Sequence, residues 1–303
     1  MTSFANFSAT DSSGALAPLR HTITIDGVEQ SFHIAGSGPV CLVHPGGPGF
    51  DWNYMRMPLL EQTMTLVYIE PVGTGNSGLL PDEEYTMPRY AYYTHKIAEY
   101  IGVRKPYFLG HSHGGFVGLQ YALDYPDEIE GLILYSSAPC MVRELGEEQA
   151  RQIELYARRW PDRPEAQDAM QAWMDMGAGA ARDNASFLNL LGRLLPAFFG
   201  DYWNLPESFK TWRDQLNFYL VPRKPHTWDV REALTEIAVP ALILVGEHDF
   251  NCGPRWAAEM DEKLPNSRLY TFEAGGHMSH VERPQEFANA VRDFAAQAAR
   301  TES

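Results

Sequence analysis

Serine, aspartate and histidine together can turn a weak hydroxyl into a nucleophile, and this chain carries all three in a usable order. Ser112 sits in Gly110-His111-Ser112-His113-Gly114, after the apolar run Tyr107-Phe108-Leu109 and before the helix-like stretch from Gly115 to Leu123. When a strand turns into a helix through Gly-x-Ser-x-Gly, the serine takes a strained backbone conformation and its neighbours must be small. The hydroxyl then stands exposed at the edge of the sheet. Short motifs also match by accident, and a glycine-rich strand–helix junction without chemistry is the plain alternative.

A serine needs a base to take its proton, and imidazole titrates near the working pH. An acid must hold that imidazole in the right tautomer. Asp249 follows Gly246-Glu247-His248, just past an apolar strand, and Glu247 is its rival within the loop. A turn or helix-capping role ahead of Gly253-Pro254 is the alternative for Asp249. His277 lies in Ala274-Gly275-Gly276-His277-Met278, far enough beyond Asp249 for one helix and one strand to intervene. His280, His111, His113 and His248 are competing imidazoles. A developing oxyanion also needs donors. The amide of His113 can supply one. A second can come from His44-Pro45-Gly46-Gly47-Pro48-Gly49, with Gly47 favoured over Gly46. No Gly-Lys-Ser/Thr ending follows that loop, which argues against a phosphate cradle.

The elements that must position these groups are legible along the chain. His21–Ile25 and Ser31–Ile34 flank Asp26-Gly27 and read as a hairpin. Val40–Val43, Leu66–Ile69, Tyr107–Leu109 and Leu132–Tyr135 are short continuous apolar runs, as expected of strands buried on both faces of a parallel sheet. Helical patterns lie between them at roughly 52–62, 89–102 and 114–125, and the alternation predicts a doubly wound α/β sheet. From 140 to 231 no strong strand is visible, and helix-compatible runs cover Glu147–Trp160 and Ala166–Met176. This stretch, expected to be an inserted helical lid, holds Trp160, Trp173, Trp203, Trp212 and Trp228. Most of these rings are expected to fill the lid's own core. The α/β pattern resumes with a strand at 240–246, a helix near 254–263, a strand at 267–272 and a last helix from Pro284. The expected organisation is a loose tail over 1–18, a core over 19–139 and 232–303, and the lid over 140–231.

The chain of 303 residues can bury a large core unaided. Its net charge of −15 repels a phosphate backbone, so nucleic acid is not an expected partner. Cys41, Cys140 and Cys252 lack metal spacing, and no metal or organic cofactor is expected. With neither a signal-peptide pattern nor a long apolar stretch, a cytoplasmic location without a membrane span is expected.

The elbow around Ser112 and the order serine, acid, histidine resemble the α/β-hydrolase superfamily. Within it, His44-Pro45-Gly46-Gly47-Pro48-Gly49 is similar to the His-Gly-Gly-Pro-Gly loop of the proline iminopeptidase branch, with Pro45 added or shifted. Trp228-Asp229-Val230 and the run from Pro240 to Asp249 resemble the segment where that branch's lid rejoins its sheet. The resemblance covers roughly residues 20 to 298. It implies an α/β-hydrolase fold and a triad of Ser112, Asp249 and His277 acting through an acyl-enzyme on an amide or ester of a small molecule or short peptide. Two features depart from the branch. Its Asp-Gln-Arg-Gly is replaced by Glu70-Pro71-Val72-Gly73. Near the lid's end, where a glutamate often holds the substrate's amine, this chain reads Leu216-Asn217-Phe218. Glu147, Glu148, Glu154 and Glu165 are the carboxylates that could substitute. An esterase, lactonase or carbon–carbon bond hydrolase is the alternative enzyme, and a non-catalytic binding protein on the same fold is the alternative class.

Overall fold

The computed structural model describes residues 18–206 and 208–301. The proposed tail therefore lies, but for Pro18, outside the described residues. Among the described residues ten strands occur in chain order: β1 (Leu19–Ile25), β2 (Val28–Gly36), β3 (Val40–His44), β4 (Thr65–Ile69), β5 (Tyr107–His111), β6 (Gly131–Tyr135), β7 (Cys140–Met141), β8 (Trp228–Asp229), β9 (Ala241–Gly246) and β10 (Ser267–Phe272). Eight of them form one sheet in the order β1-β2-β4-β3-β5-β6-β9-β10. β1 and β2 form the expected antiparallel hairpin, and β2 meets β4 antiparallel. From β4 to β10 every neighbouring pair is parallel.

The helices are α1 (Pro58–Glu61), α2 (Met87–Ile101), α3 (His113–Asp124), α4 (Arg143–Arg159), α5 (Pro164–Gly177), α6 (Asn184–Leu194), α7 (Ser208–Asp214), α8 (Pro254–Lys263), α9 (Ser279–Glu282) and α10 (Pro284–Thr301). Side chains alternate across the sheet, so its strands feed two apolar layers. Leu42 of β3 packs with Phe108 and Leu132 on one face. Cys41 and Val43 pack with Leu109 and Ile133 on the other. All three cysteines are free and buried, as small apolar fillers would be.

Two expectations need correction. The helix expected over 52–62 is broken: Trp52–Met55 forms a short 3-10 turn, Met57 leaves helical geometry, and α1 starts at Pro58. Proline cannot donate the hydrogen bond that a continuous helix needs there. The stretch from 140 to 231 does contain strands. β7 and β8 pair antiparallel at its two ends, Cys140 with Asp229 and Met141 with Trp228. Between them run α4 to α7, including the two helices expected from the sequence. No helix among the described residues is long and apolar enough to cross a membrane.

Candidate active site

β5 ends at His111 and α3 starts at His113, so Ser112 is the single residue in which the chain reverses. Its backbone sits at φ 53° and ψ −119°, a sparsely populated conformation. The surroundings hold it there. Its amide donates to the Tyr135 carbonyl at 2.8 Å, and its carbonyl accepts from the Ser137 hydroxyl at 2.9 Å. A side chain at Gly114 would run into the backbone carbonyl of His44 at the end of β3, which explains the small residue two places on.

Asp249 is buried in the loop after β9. Both its carboxylate oxygens lie 2.9 Å from Nδ1 of His277. One of them also accepts from the amides of Asn251 at 2.8 Å and Cys252 at 3.1 Å. Burial pushes this carboxyl upward. The facing His277 and the amide donors outweigh burial and hold it below the usual carboxylate range. Glu247, the rival acid, is exposed and accepts from the amide of Ala274 at 2.8 Å.

His277 is buried in the loop after β10. Among the described residues no hydrogen bond joins it to Ser112. Its Nε2 accepts instead from the side-chain amide of Asn251 at 3.3 Å. Ser112 and His277 nevertheless line the same cavity.

The other histidines have partners elsewhere. His280 contacts the Tyr54 carbonyl at 2.8 Å and the Tyr135 hydroxyl at 3.0 Å, and burial pushes it down to about 4. His113 packs edge-on against Tyr90. His248 lies half-buried in the Asp249 loop. His111 contacts the Tyr54 hydroxyl at 2.7 Å through Nδ1 and the His277 carbonyl at 3.1 Å through Nε2. Burial first, and then His277 and His280, press its imidazole well below the usual range, so it carries one proton. That proton must be on Nε2, because a carbonyl can only accept. Tyr54 therefore donates to Nδ1, and its oxygen accepts the Gly46 amide at 2.6 Å. One chain of donors thus ties the loop after β3 to the loop that carries His277.

This chain also bears on the oxyanion candidates. The Gly46 amide is directed at Tyr54. Gly47, at φ 128°, comes next in the cavity wall. The His113 amide is the first of α3, and the opening amides of a helix have no partner within it. Tyr54 and Asn251 had no sequence signal, since neither belongs to a motif and their partners are remote.

The cavity at Ser112 has a volume of about 220 Å³. Its walls are mostly apolar, with Trp173, Phe187, Leu191, Phe198 and Phe218 prominent. Among the described residues no Asp, Glu, Lys or Arg lines it. The four candidate carboxylates are engaged or exposed elsewhere. Glu147 pairs with Arg143, Glu148 with Arg151 and Glu154 with Arg158, and Glu165 faces solvent. Of the five tryptophans between 140 and 231, Trp173 reaches this cavity. Trp160 packs on Trp203, Trp212 donates to the Tyr54 carbonyl, and Trp228 stacks on Phe116. No group of three metal-ligating side chains occurs among the described residues.

A doubly wound sheet with a strained serine at the carboxyl end of its fifth strand defines a class, and comparison with known proteins agrees. A family model for the alpha/beta hydrolase fold matches residues 39–284, and the chain belongs to that family. A proline iminopeptidase of Lactobacillus acidophilus is 26% identical over 283 residues, covering 88% of this chain and 94% of that protein. Among solved structures, VinJ superposes with a TM-score of 0.75 at 20% identity, over 93% of this chain and all of that one. A proline iminopeptidase from Mycobacterium smegmatis superposes with a TM-score of 0.72 at 21% identity, over 94% of this chain and all of that one.

Proposed function

We propose that this hydrolase cleaves an ester or amide of a neutral, apolar acyl group through a covalent acyl-enzyme on Ser112. His277 takes the Ser112 proton as the hydroxyl oxygen attacks the carbonyl carbon. The amides of His113 and Gly47 receive the oxyanion. His277 returns the proton to the leaving group as the scissile bond breaks. A water molecule then gives its proton to His277, attacks the acyl carbon and releases the acid, and Ser112 recovers its proton. Asp249 keeps Nδ1 protonated so that Nε2 is the basic nitrogen. The segment 140–231 serves as a lid whose aromatic side chains close over the acyl group. No step calls for a metal or an organic cofactor, and the partner is a small molecule.

The cavity wall carries the choice of substrate. A peptide's terminal ammonium, placed among Trp173, Phe187 and Phe218 without a carboxylate, would lose its hydration for nothing. Burial of an unpaired charge costs several kcal/mol. Removal of an N-terminal proline is the second reading, favoured by the name of the Lactobacillus relative and supported by the Gly46–Gly49 loop. Hydrolysis of prolyl arylamide and of aryl esters graded from acetyl to octanoyl separates the two. The expected outcome is that kcat/KM for a medium-chain ester exceeds that for the prolyl arylamide by at least about a hundredfold, each scaled to its uncatalysed rate, and that Ser112→Ala abolishes both. Preference for the prolyl substrate would reverse the assignment.

A further inference from the structure

The base nitrogen of His277 is occupied, and what occupies it leads into the helical segment. Asn251 points its side-chain amide at Nε2 from 3.3 Å. The orientation of that amide is set from its other end, where Oδ1 accepts from Nε2 of Gln149 at 2.7 Å. Gln149 belongs to α4, the first helix after β7. With Nδ1–H of His277 directed at Asp249, Nε2 offers a lone pair, and only an N–H can face it. The two amides and the imidazole therefore form an ordered chain from α4 to the base.

This arrangement is compatible with the neutral imidazole alone. Once Nε2 takes a proton, two N–H groups would point at each other. Asn251 must then move away or turn its oxygen inward, and turning requires Gln149 to turn as well. The other groups around the ring are Asp249 under Nδ1, the His111 ring 4.6 Å away, and His280 behind His111. Cys252 is buried beside the same carboxylate, and Glu282 holds the Gly276 amide at 2.7 Å.

Resting on the assignment of Ser112, Asp249 and His277 above, we propose that Asn251, which lines the cavity at Ser112, is a cap on the general base, held in place by Gln149 of α4 and released when a substrate seated in that cavity displaces the Asn251 amide. Asn251 and Gln149 are thus positioning residues acting through His277. They couple occupation of the acyl cavity to availability of the base.

The direction of the pH effect follows from the chemistry. A hydrogen bond given to the lone pair stabilises only the unprotonated imidazole. Its loss lets the base hold its proton to higher pH, so the acid limb of the reaction must move upward. The test is the pH profile of Ser112 labelling by a small alkyl fluorophosphonate, chosen too small to displace Asn251. In Asn251→Ala the midpoint of the acid limb should rise by about half a unit to one unit, the scale of one ordinary hydrogen bond. The plateau rate should rise about two- to tenfold, since the ground state no longer carries the cap. Gln149→Leu should shift both in the same direction by less, and the double variant should not exceed Asn251→Ala. Unmoved midpoints, a fall in plateau rate, or a Gln149→Leu profile identical to wild type would overturn the proposal. If Asn251→Ala does not fold by circular dichroism, the Gln149→Leu profile decides alone. Absence of wild-type labelling at Ser112 overturns the triad assignment, and this proposal with it.

Discussion

Tyr54 shows how much of the site depends on one hydroxyl outside every motif. Burial keeps its phenol protonated, so the group can donate to His111 while accepting from Gly46. Tyr54→Phe removes a partner from two buried groups at once, and a buried polar group left unpaired costs about 1–3 kcal/mol. The expected outcome is a lower urea midpoint together with roughly tenfold slower labelling of Ser112, because the loop that carries Gly47 loses its tether. A variant as stable and as reactive as wild type would remove Tyr54 from the account. Sequence alone could not have singled it out. Ser112, Asp249 and His277 could be proposed from sequence because each follows a recognisable strand and the expected chemistry demands their residue types. Tyr54 acts through atoms of His111 and Gly46 that are neighbours only in space. Asn251 escaped notice for the same reason, although it stands two residues from Asp249.

At the level of elements, legibility followed burial. β3, β4, β5 and β6 are covered on both faces, so they read as unbroken apolar runs, and each lies where the sequence placed it. The break at Pro58 had a signal in the proline itself, which the helical pattern around it masked. β7 and β8 had none, because a ladder of two residues has no period to detect. The elbow joining β5 to α3 carries the proposed nucleophile, and its tolerance can be measured. At Gly114 a methyl group would meet the carbonyls of His44 and Pro45, which are backbone atoms and cannot rotate away. Overpacking of this kind costs about 1–3 kcal/mol. Gly114→Ala should therefore lower the melting temperature and suppress labelling of Ser112. Gly146→Ala is the matched control. That glycine lies within α4 with nothing near its absent side chain, and the change should stabilise by up to about 1 kcal/mol. Equal behaviour of the two variants would show that the elbow is not tightly packed.

On the scale of the whole molecule, the sheet edge that carries Ser112 is built around buried imidazoles that must stay neutral. Burial pushes His44 and His280 down to about 4. His111 and His113 lie well below the ordinary value, again chiefly through burial. In the unfolded chain all four titrate near about 6.5. Between that value and about 4 the unfolded chain binds protons that the folded protein refuses, so stability falls as the pH falls through this window. At pH 5 these four residues alone make unfolding take up about four protons. Asp249, held below the usual carboxylate range, loses its contribution only at lower pH and in the same direction. The net charge of −15 works the other way, since acidification relieves self-repulsion, but ordinary carboxylates, at about 4, protonate mostly below pH 5. Thermal unfolding followed at pH 7, 6 and 5 in about 0.5 M salt, which shortens electrostatic reach to a few ångströms, reads the buried histidines against a muted surface. The melting temperature should drop at each step and more steeply below pH 6. A flat profile from pH 7 to 5 would mean that these imidazoles are hydrated in solution, and the dry, neutral setting described for the edge around Ser112 would have to be abandoned.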